Sequence, residues 1–181
     1  MENKNIIPDF PISKFLFTNK KAALLWLPIR LYVGYEWLIA GWHKVVSPDW
    51  VGWSAGVNVS NFVTRSLEKT AGSHPDVQGW YADFLSDFVL SHPALWSNLI
   101  SYGELLVGVA LILGMFTGIA AFFGLFMNLN YLLAGTVSTN PILFTLGIGL
   151  VLGWRVAGYI GLDGLLLRFF GVPWGQRLQK T

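Results

Sequence analysis

The chain has no cysteine, and charge is scarce in it: twelve Lys/Arg and ten Asp/Glu, or 12% of 181 residues. Without thiols there is no CxxC dithiol, no Cys-ligated iron–sulfur cluster, no haem attached through CxxCH and no persulfide intermediate. Any electrons the protein handles are therefore carried by something other than its own sulfur. Three histidines without HxH or HxxxH spacing give no metal-ligand pattern. A net charge of +2 is too small to suggest nucleic acid. Gly147-x-Gly149-x-x-x-Gly153 lies in an apolar stretch with no strand before it, so it is not read as a dinucleotide loop.

What is present is apolar. Hydrophobic residues make up 54% of the chain, and the mean hydropathy is +0.53. Soluble domains carry about 25% charged residues. The expectation is an all-α integral membrane protein forming one domain over residues 1–181. Four transmembrane helices are expected at about 22–42, 97–115, 117–137 and 141–160, packed as a four-helix bundle. An apolar run of about 20 residues crosses the hydrocarbon core. Links near Phe116 and at Ser138-Thr139-Asn140 are short enough to make neighbouring spans antiparallel.

Residues 45–96 break the apolar pattern and form the expected outer loop. Val77, Trp80, Tyr81, Phe84, Leu85, Phe88 and Val89 recur at helical spacing, and Val59, Phe62, Val63 and Leu67 form a weaker repeat. An amphipathic helical lid over the bundle is the reading. Lys14, Lys20 and Lys21 before the first span, and Arg168, Arg177 and Lys180 after the last, place both termini on the cytoplasmic side of the cell membrane. The first span ends in Gly41-Trp42-His43-Lys44 rather than a small-residue cleavage site, so it is read as a retained signal anchor.

Ionisable residues inside apolar spans are the candidate functional groups, because each costs several kcal/mol unless it meets a partner or a wet cavity. Arg30 falls near mid-membrane, and Glu36 lies about 9 Å farther along the helix. On a wheel of about 100° per residue, Arg30, Gly34, Trp37, Gly41 and Lys44 make one stripe and Tyr32, Glu36 and His43 another. Glu36, Glu104 and Asn130 each fall about 10 Å below the outer edge of their spans, which suggests one outer cluster. Asn128 and Asn130 point about 200° apart, so they face different neighbours. Asp163 suits the N-cap of a short surface helix through Phe170.

Several blocks together resemble the DoxX-like membrane proteins. They are Arg30-x3-Gly34-x6-Gly41-x2-Lys44, Gly103-Glu104-Leu105-Leu106-Val107-Gly108, Leu113-Gly114, Thr117-Gly118, Asn128-Leu129-Asn130-Tyr131, Ala134-Gly135, Asn140-Pro141 and Gly161-Leu162-Asp163. The long loop after the first span is most similar to the DoxD branch, the small membrane subunit of thiosulfate:quinone oxidoreductase. The resemblance implies a quinone-linked oxidoreductase that takes electrons from thiosulfate to give tetrathionate, working with a second protein subunit; a homo-oligomer is a further option.

On these residues, the expected catalytic set is Glu104, Glu36 and Arg30, lining one site that opens to the outer face. Lys44, His43 and Arg65 are the cationic hosts for a small inorganic sulfur anion. Asn130, Asn128 and Trp37 are the expected contacts for the membrane quinone, the only cofactor-like molecule implied and itself a substrate. Two other classes compete: a non-catalytic scaffold that docks or assembles a redox partner, and a small anion or proton transporter.

Overall fold

The computed structural model describes residues 10–171, and every element in it is helical. Arg177 and Lys180, used above to orient the carboxyl end, lie outside the described residues. A short helix, α1 (Pro11–Thr18), and a 3-10 turn lead into α2 (Ala23–Val45). Next come α3 (Val57–Leu67), α4 (Gly79–Phe84) and α5 (Pro93–Leu113). The chain continues through α6 (Thr117–Leu133), α7 (Asn140–Leu152), α8 (Trp154–Ala157) and α9 (Leu162–Phe170).

α2, α5, α6 and α7 pack side by side around one apolar core that includes Trp26, Val33, Trp37, Val107, Leu111, Ala120 and Leu150. Their glycines give the register. A Cβ at Gly41 would fall 2.3 Å from the backbone N of Leu105, one at Gly108 2.3 Å from that of Leu38, and one at Gly34 3.0 Å from Cβ of Leu111. Position rises along α2 as it falls along α5, so the two helices are antiparallel and their backbones nearly touch. Small residues at a crossing permit that approach. Gly118 meets Trp154 of α8 and Gly147 of α7 meets Leu125, so α6 runs antiparallel to the α7–α8 pair.

Among the described residues, α5 alone is both long and apolar enough to cross a bilayer; α6 and α7 are apolar but shorter. α2 has 23 residues but includes Arg30, Glu36 and Lys44. The expected span 141–160 is not one helix. α7 stops at Leu152, Gly153 interrupts it, and α8 is a separate turn. Gly149 and Gly153 lie against the Trp26 ring, where a side chain at either would crowd the indole.

The segment between α2 and α5 has its own small core. Val59 and Val63 on α3 pack with Val77, Tyr81, Leu85 and Val89, and with Ala134 at the end of α6. Tyr81, Leu85 and Val89 repeat every four residues, more than the 3.6 of an α-helix. The turn Leu85–Val89 widens into a π-helix, with Leu90 N–H donating to Leu85 O at 3.0 Å, and this keeps Val89 on the buried side. The segment thereby covers the ends of α5 and α6.

Candidate functional site

The strongest polar cluster lies where these two cores meet. Glu104, at mid-α5, is 1% exposed. Its Oε2 forms an ion pair with Lys44 Nζ from α2, and its Oε1 accepts a hydrogen bond from Tyr131 OH of α6 at 2.5 Å. Lys44 is 18% exposed, more than Glu104. Its ammonium lies 5.0 Å from the centre of the Trp50 ring and 6.0 Å from that of Tyr131. Trp50 is held in turn by its carbonyl, which accepts from Ser97 Oγ at 2.7 Å. Phe62 of α3 meets Tyr131 edge to face. Three long helices thus supply a carboxylate, an ammonium and a phenol, and the loop segment roofs them with aromatic rings.

The Gly41–Leu105 contact explains why Lys44 reaches Glu104, because Lys44 is one helical turn beyond the crossing. Such a trio can hold a proton between carboxylate and phenol and pass it to a group arriving past Lys44. Among the described residues, no group of His, Asp and Glu is placed to bind a metal ion.

A second polar cluster occupies the opposite end of the long helices. Arg30 is 2% exposed, and its guanidinium donates to the carbonyls of Ala157 and Ile160 at 2.8 Å each. Gly114, at φ +63°, leaves the room it needs: a Cβ there would lie 2.3 Å from Arg30 Nη1. Asp163 sits within electrostatic reach. Its carboxylate accepts from the N–H groups of Phe116 and Thr117 at 2.7 and 2.8 Å, and its own N–H donates to Gly114 O at 2.7 Å.

Asp163 is therefore not the N-cap of its own helix, as its position predicts. Gly161 takes that place in α9, and Asp163 caps α6 instead, because the tight turn from Gly114 to Phe116 aims free N–H groups inward. Asp163→Ala removes two charge-assisted bonds from buried donors and leaves Arg30 without its counter-charge. A loss of about 2–4 kcal/mol is expected, read as a lower thermal midpoint in detergent; Asp163→Asn, which keeps one acceptor, loses less.

The expected convergence of Arg30, Glu36, Lys44 and Glu104 on one cavity needs correction. Lys44 and Glu104 are brought together. Arg30 precedes Lys44 by fourteen residues, about 21 Å along the helix, and is spent on the carbonyls of α8 and its following turn. Glu36 lies about 140° around α2 from Gly41, so it turns away from the face that meets α5. It is half-buried and has no hydrogen-bond or ion-pair partner among the described residues.

The remaining candidates are scattered. His43, adjacent to Lys44 but about 100° around the helix, is exposed, as is Arg65 on α3. Asn130 joins the loop rather than Glu104: its Oδ1 and its carbonyl both accept from Tyr81 OH at 3.0 Å. Burial pushes the Tyr81 phenol up to about 12, so it remains a neutral donor at physiological pH. Asn128 is 1% exposed, with neither amide atom hydrogen-bonded. Trp37 is buried on the facing stripe of α2, its indole nitrogen lying where a Cβ at Gly124, one turn before Asn128, would be 3.0 Å away.

Tyr131 and Trp50 are the members of the site that the sequence did not single out. Tyr131 follows Asn130 in an apolar stretch where aromatic residues are read as interfacial, and Trp50 lies in a segment without periodicity. The available signal was spacing: on the α6 wheel, Tyr131 falls about 60° from Asn128, on the inward side.

A family model described as DoxX matches residues 25–137. That interval contains α2 from Leu25 on, the loop segment, α5 and α6, and with them every member of the Lys44–Glu104–Tyr131 trio. No curated protein and no solved structure matches the chain.

Proposed function

Because the chain belongs to the DoxX family, whose members are membrane proteins, we propose that it is the multi-pass membrane subunit of a quinone-linked oxidoreductase. In this reading α2, α5, α6 and the α7–α8 pair cross the cell membrane as a four-helix bundle, with both termini cytoplasmic and the loop segment outside. One observation carries the functional reading: Glu104, buried among apolar helices, is held by Lys44 and Tyr131 from two other helices. A fully buried carboxylate with a phenol on one oxygen and an ammonium on the other is suited to proton exchange in a water-poor setting.

Reduction of a quinone to the quinol takes up two electrons and two protons. Glu104 and Tyr131 relay two protons, drawn from water at the outer face past Lys44, to the ring oxygens, and Lys44 offsets the negative charge that develops there. Thiosulfate is the proposed donor: two ions join through a new S–S bond and release two electrons. The long loop between α2 and α5, similar to that of the DoxD branch, supports this choice. His43 and Arg65, exposed and uncommitted to other side chains among the described residues, are the cations free to meet the anion, since Lys44 is engaged by Glu104. The test is to purify the chain in lipid, extract it for quinone and add thiosulfate with a soluble quinone analogue. Bound quinone and thiosulfate-dependent reduction are expected. Their joint absence sinks the reading and favours the scaffold, for which the exposed Trp53, Trp80 and Phe88 offer a docking surface.

Asn128 and Trp37 are the proposed contacts for a quinone oxygen. An unpartnered buried amide costs about 1–3 kcal/mol. Asn128→Leu should therefore raise the thermal midpoint of the quinone-free protein by a few degrees while weakening quinone binding about tenfold. A less stable variant with unchanged quinone affinity would make Asn128 a packing residue.

A further inference from the structure

We propose that the protein pairs with a second copy of itself through the outward face of α2. The proposal rests on α2 lying in the bilayer, as in the reading above, but on no part of the redox chemistry.

α2 carries two seams in which residues alternate at intervals of four and three, the spacing by which one helix follows another. Arg30, Gly34, Trp37, Gly41 and Lys44 form the first, and it is filled: Gly34 and Gly41 lie on α5, and Lys44 ends in the ion pair with Glu104. Leu25, Ile29, Tyr32, Glu36, Ile39 and His43 form the second. Of these, Leu25 is 54%, Tyr32 39% and Ile39 38% exposed, and His43 is also exposed. Ile29 packs against the bundle core and Glu36 is half-buried, so the open part of the seam is Leu25, Tyr32, Ile39 and His43.

Glu36 sits in the middle of that open seam. A carboxylate facing hydrocarbon is costly, and Glu36 finds no donor among the described residues. A single polar residue in an otherwise apolar seam fixes which helices pair and in what register. The seam also brings its own donors, the Tyr32 phenol one turn before Glu36 and the His43 ring two turns after. A two-fold axis along the membrane normal sets each seam against its own copy, so that residue i meets j and j meets i. Glu36 of each copy then accepts from Tyr32 of the other. Donor and acceptor on one stripe make it complementary to itself, which is why a second copy suits it better than an apolar foreign helix.

The absence of cysteine makes the test direct. Single substitutions Leu25→Cys, Ile39→Cys and His43→Cys on the seam, and Leu31→Cys, Tyr35→Cys and Trp42→Cys off it, are oxidised in native membranes. All six positions are exposed in the monomer, so exposure alone predicts equal cross-linking. The expected result is a band at twice the 20.1 kDa chain mass for the three seam positions and little for the others. With Ile39→Cys as reporter, Glu36→Gln keeps the band and Glu36→Leu reduces it about five- to tenfold. Equal yields on and off the seam, no band at any position, or adducts only with a different protein would each overturn the pairing. Washing the membranes with alkaline carbonate separates this failure from the other: release of the chain refutes membrane insertion, whereas a retained chain without seam cross-links refutes the dimer alone.

Discussion

A methyl group at Gly108 breaks the α2–α5 contact and, with it, the candidate site. The Cβ of Gly108→Ala would lie 2.3 Å from the backbone N and 2.5 Å from Cα of Leu38, and that of Gly41→Ala 2.3 Å from the backbone N of Leu105. No rotamer relieves a clash between Cβ and main chain, so the helices must separate. Overpacking of ordinary cores costs about 1–3 kcal/mol, and a clash with main chain stands at or above the upper end of that range. Both variants should lose most of their folded yield from membranes, and the double variant should not assemble. Gly103→Ala is the control. It lies on the same helix, its Cβ would meet nothing closer than Met127 Sδ at 3.4 Å, and alanine in place of glycine favours the helix by up to about 1 kcal/mol. Equal damage from Gly103→Ala would show that helix composition, rather than the crossing, sets stability.

That crossing also marks the limit of what the sequence discloses. Hydropathy and the links near Phe116 and at Ser138-Thr139-Asn140 place α5, α6 and the start of α7 within about four residues of where they lie. The depths of Lys44 and Glu104 are legible from helical rise, but their meeting depends on how closely two backbones approach. The divergence of Asn128 and Asn130 follows from the wheel: one is sealed inside, the other faces the loop and Tyr81. Arg30 meets partners that its depth alone does not disclose, because the final span is not one continuous helix. Its true partners are the carbonyls of Ala157 and Ile160, which exist as a group only because the chain turns at Gly153 and again beyond α8. Asp163 illustrates the same point, since local spacing assigns it to α9 while the acceptor-starved turn before α6 claims it.

The Lys44–Glu104 pair yields the second large effect, and its value lies in separating stability from chemistry. Removing one member of a buried ion pair leaves the other uncompensated and costs about 3–5 kcal/mol; exchanging both for apolar residues of similar volume is often neutral. Lys44→Met strands a carboxylate that is 1% exposed and should be the least stable single variant of the trio. Glu104→Leu strands an ammonium that still has some access to water and the Trp50 ring, so it loses less. The double variant Lys44→Met/Glu104→Leu should recover most of the thermal midpoint. Activity should follow a different order. Glu104→Gln keeps shape and one acceptor oxygen, places an NH2 donor where the second oxygen accepted, and cannot exchange a proton; general acid–base groups contribute about 10²–10⁴-fold. Quinone reduction should therefore fall at least about a hundredfold in Glu104→Gln, whose thermal midpoint also falls but by less than that of Glu104→Leu because one oxygen still accepts from a neighbour, and it should stay absent in the stabilised double variant. Tyr131→Phe, which removes only the phenolic donor, should lie between Glu104→Gln and the unmodified protein. Were Glu104→Gln fully active, the carboxylate would be a strut between three helices and the proton-exchange role would fall; were the double variant no more stable than Lys44→Met, the loss in that single variant would not come from a stranded carboxylate.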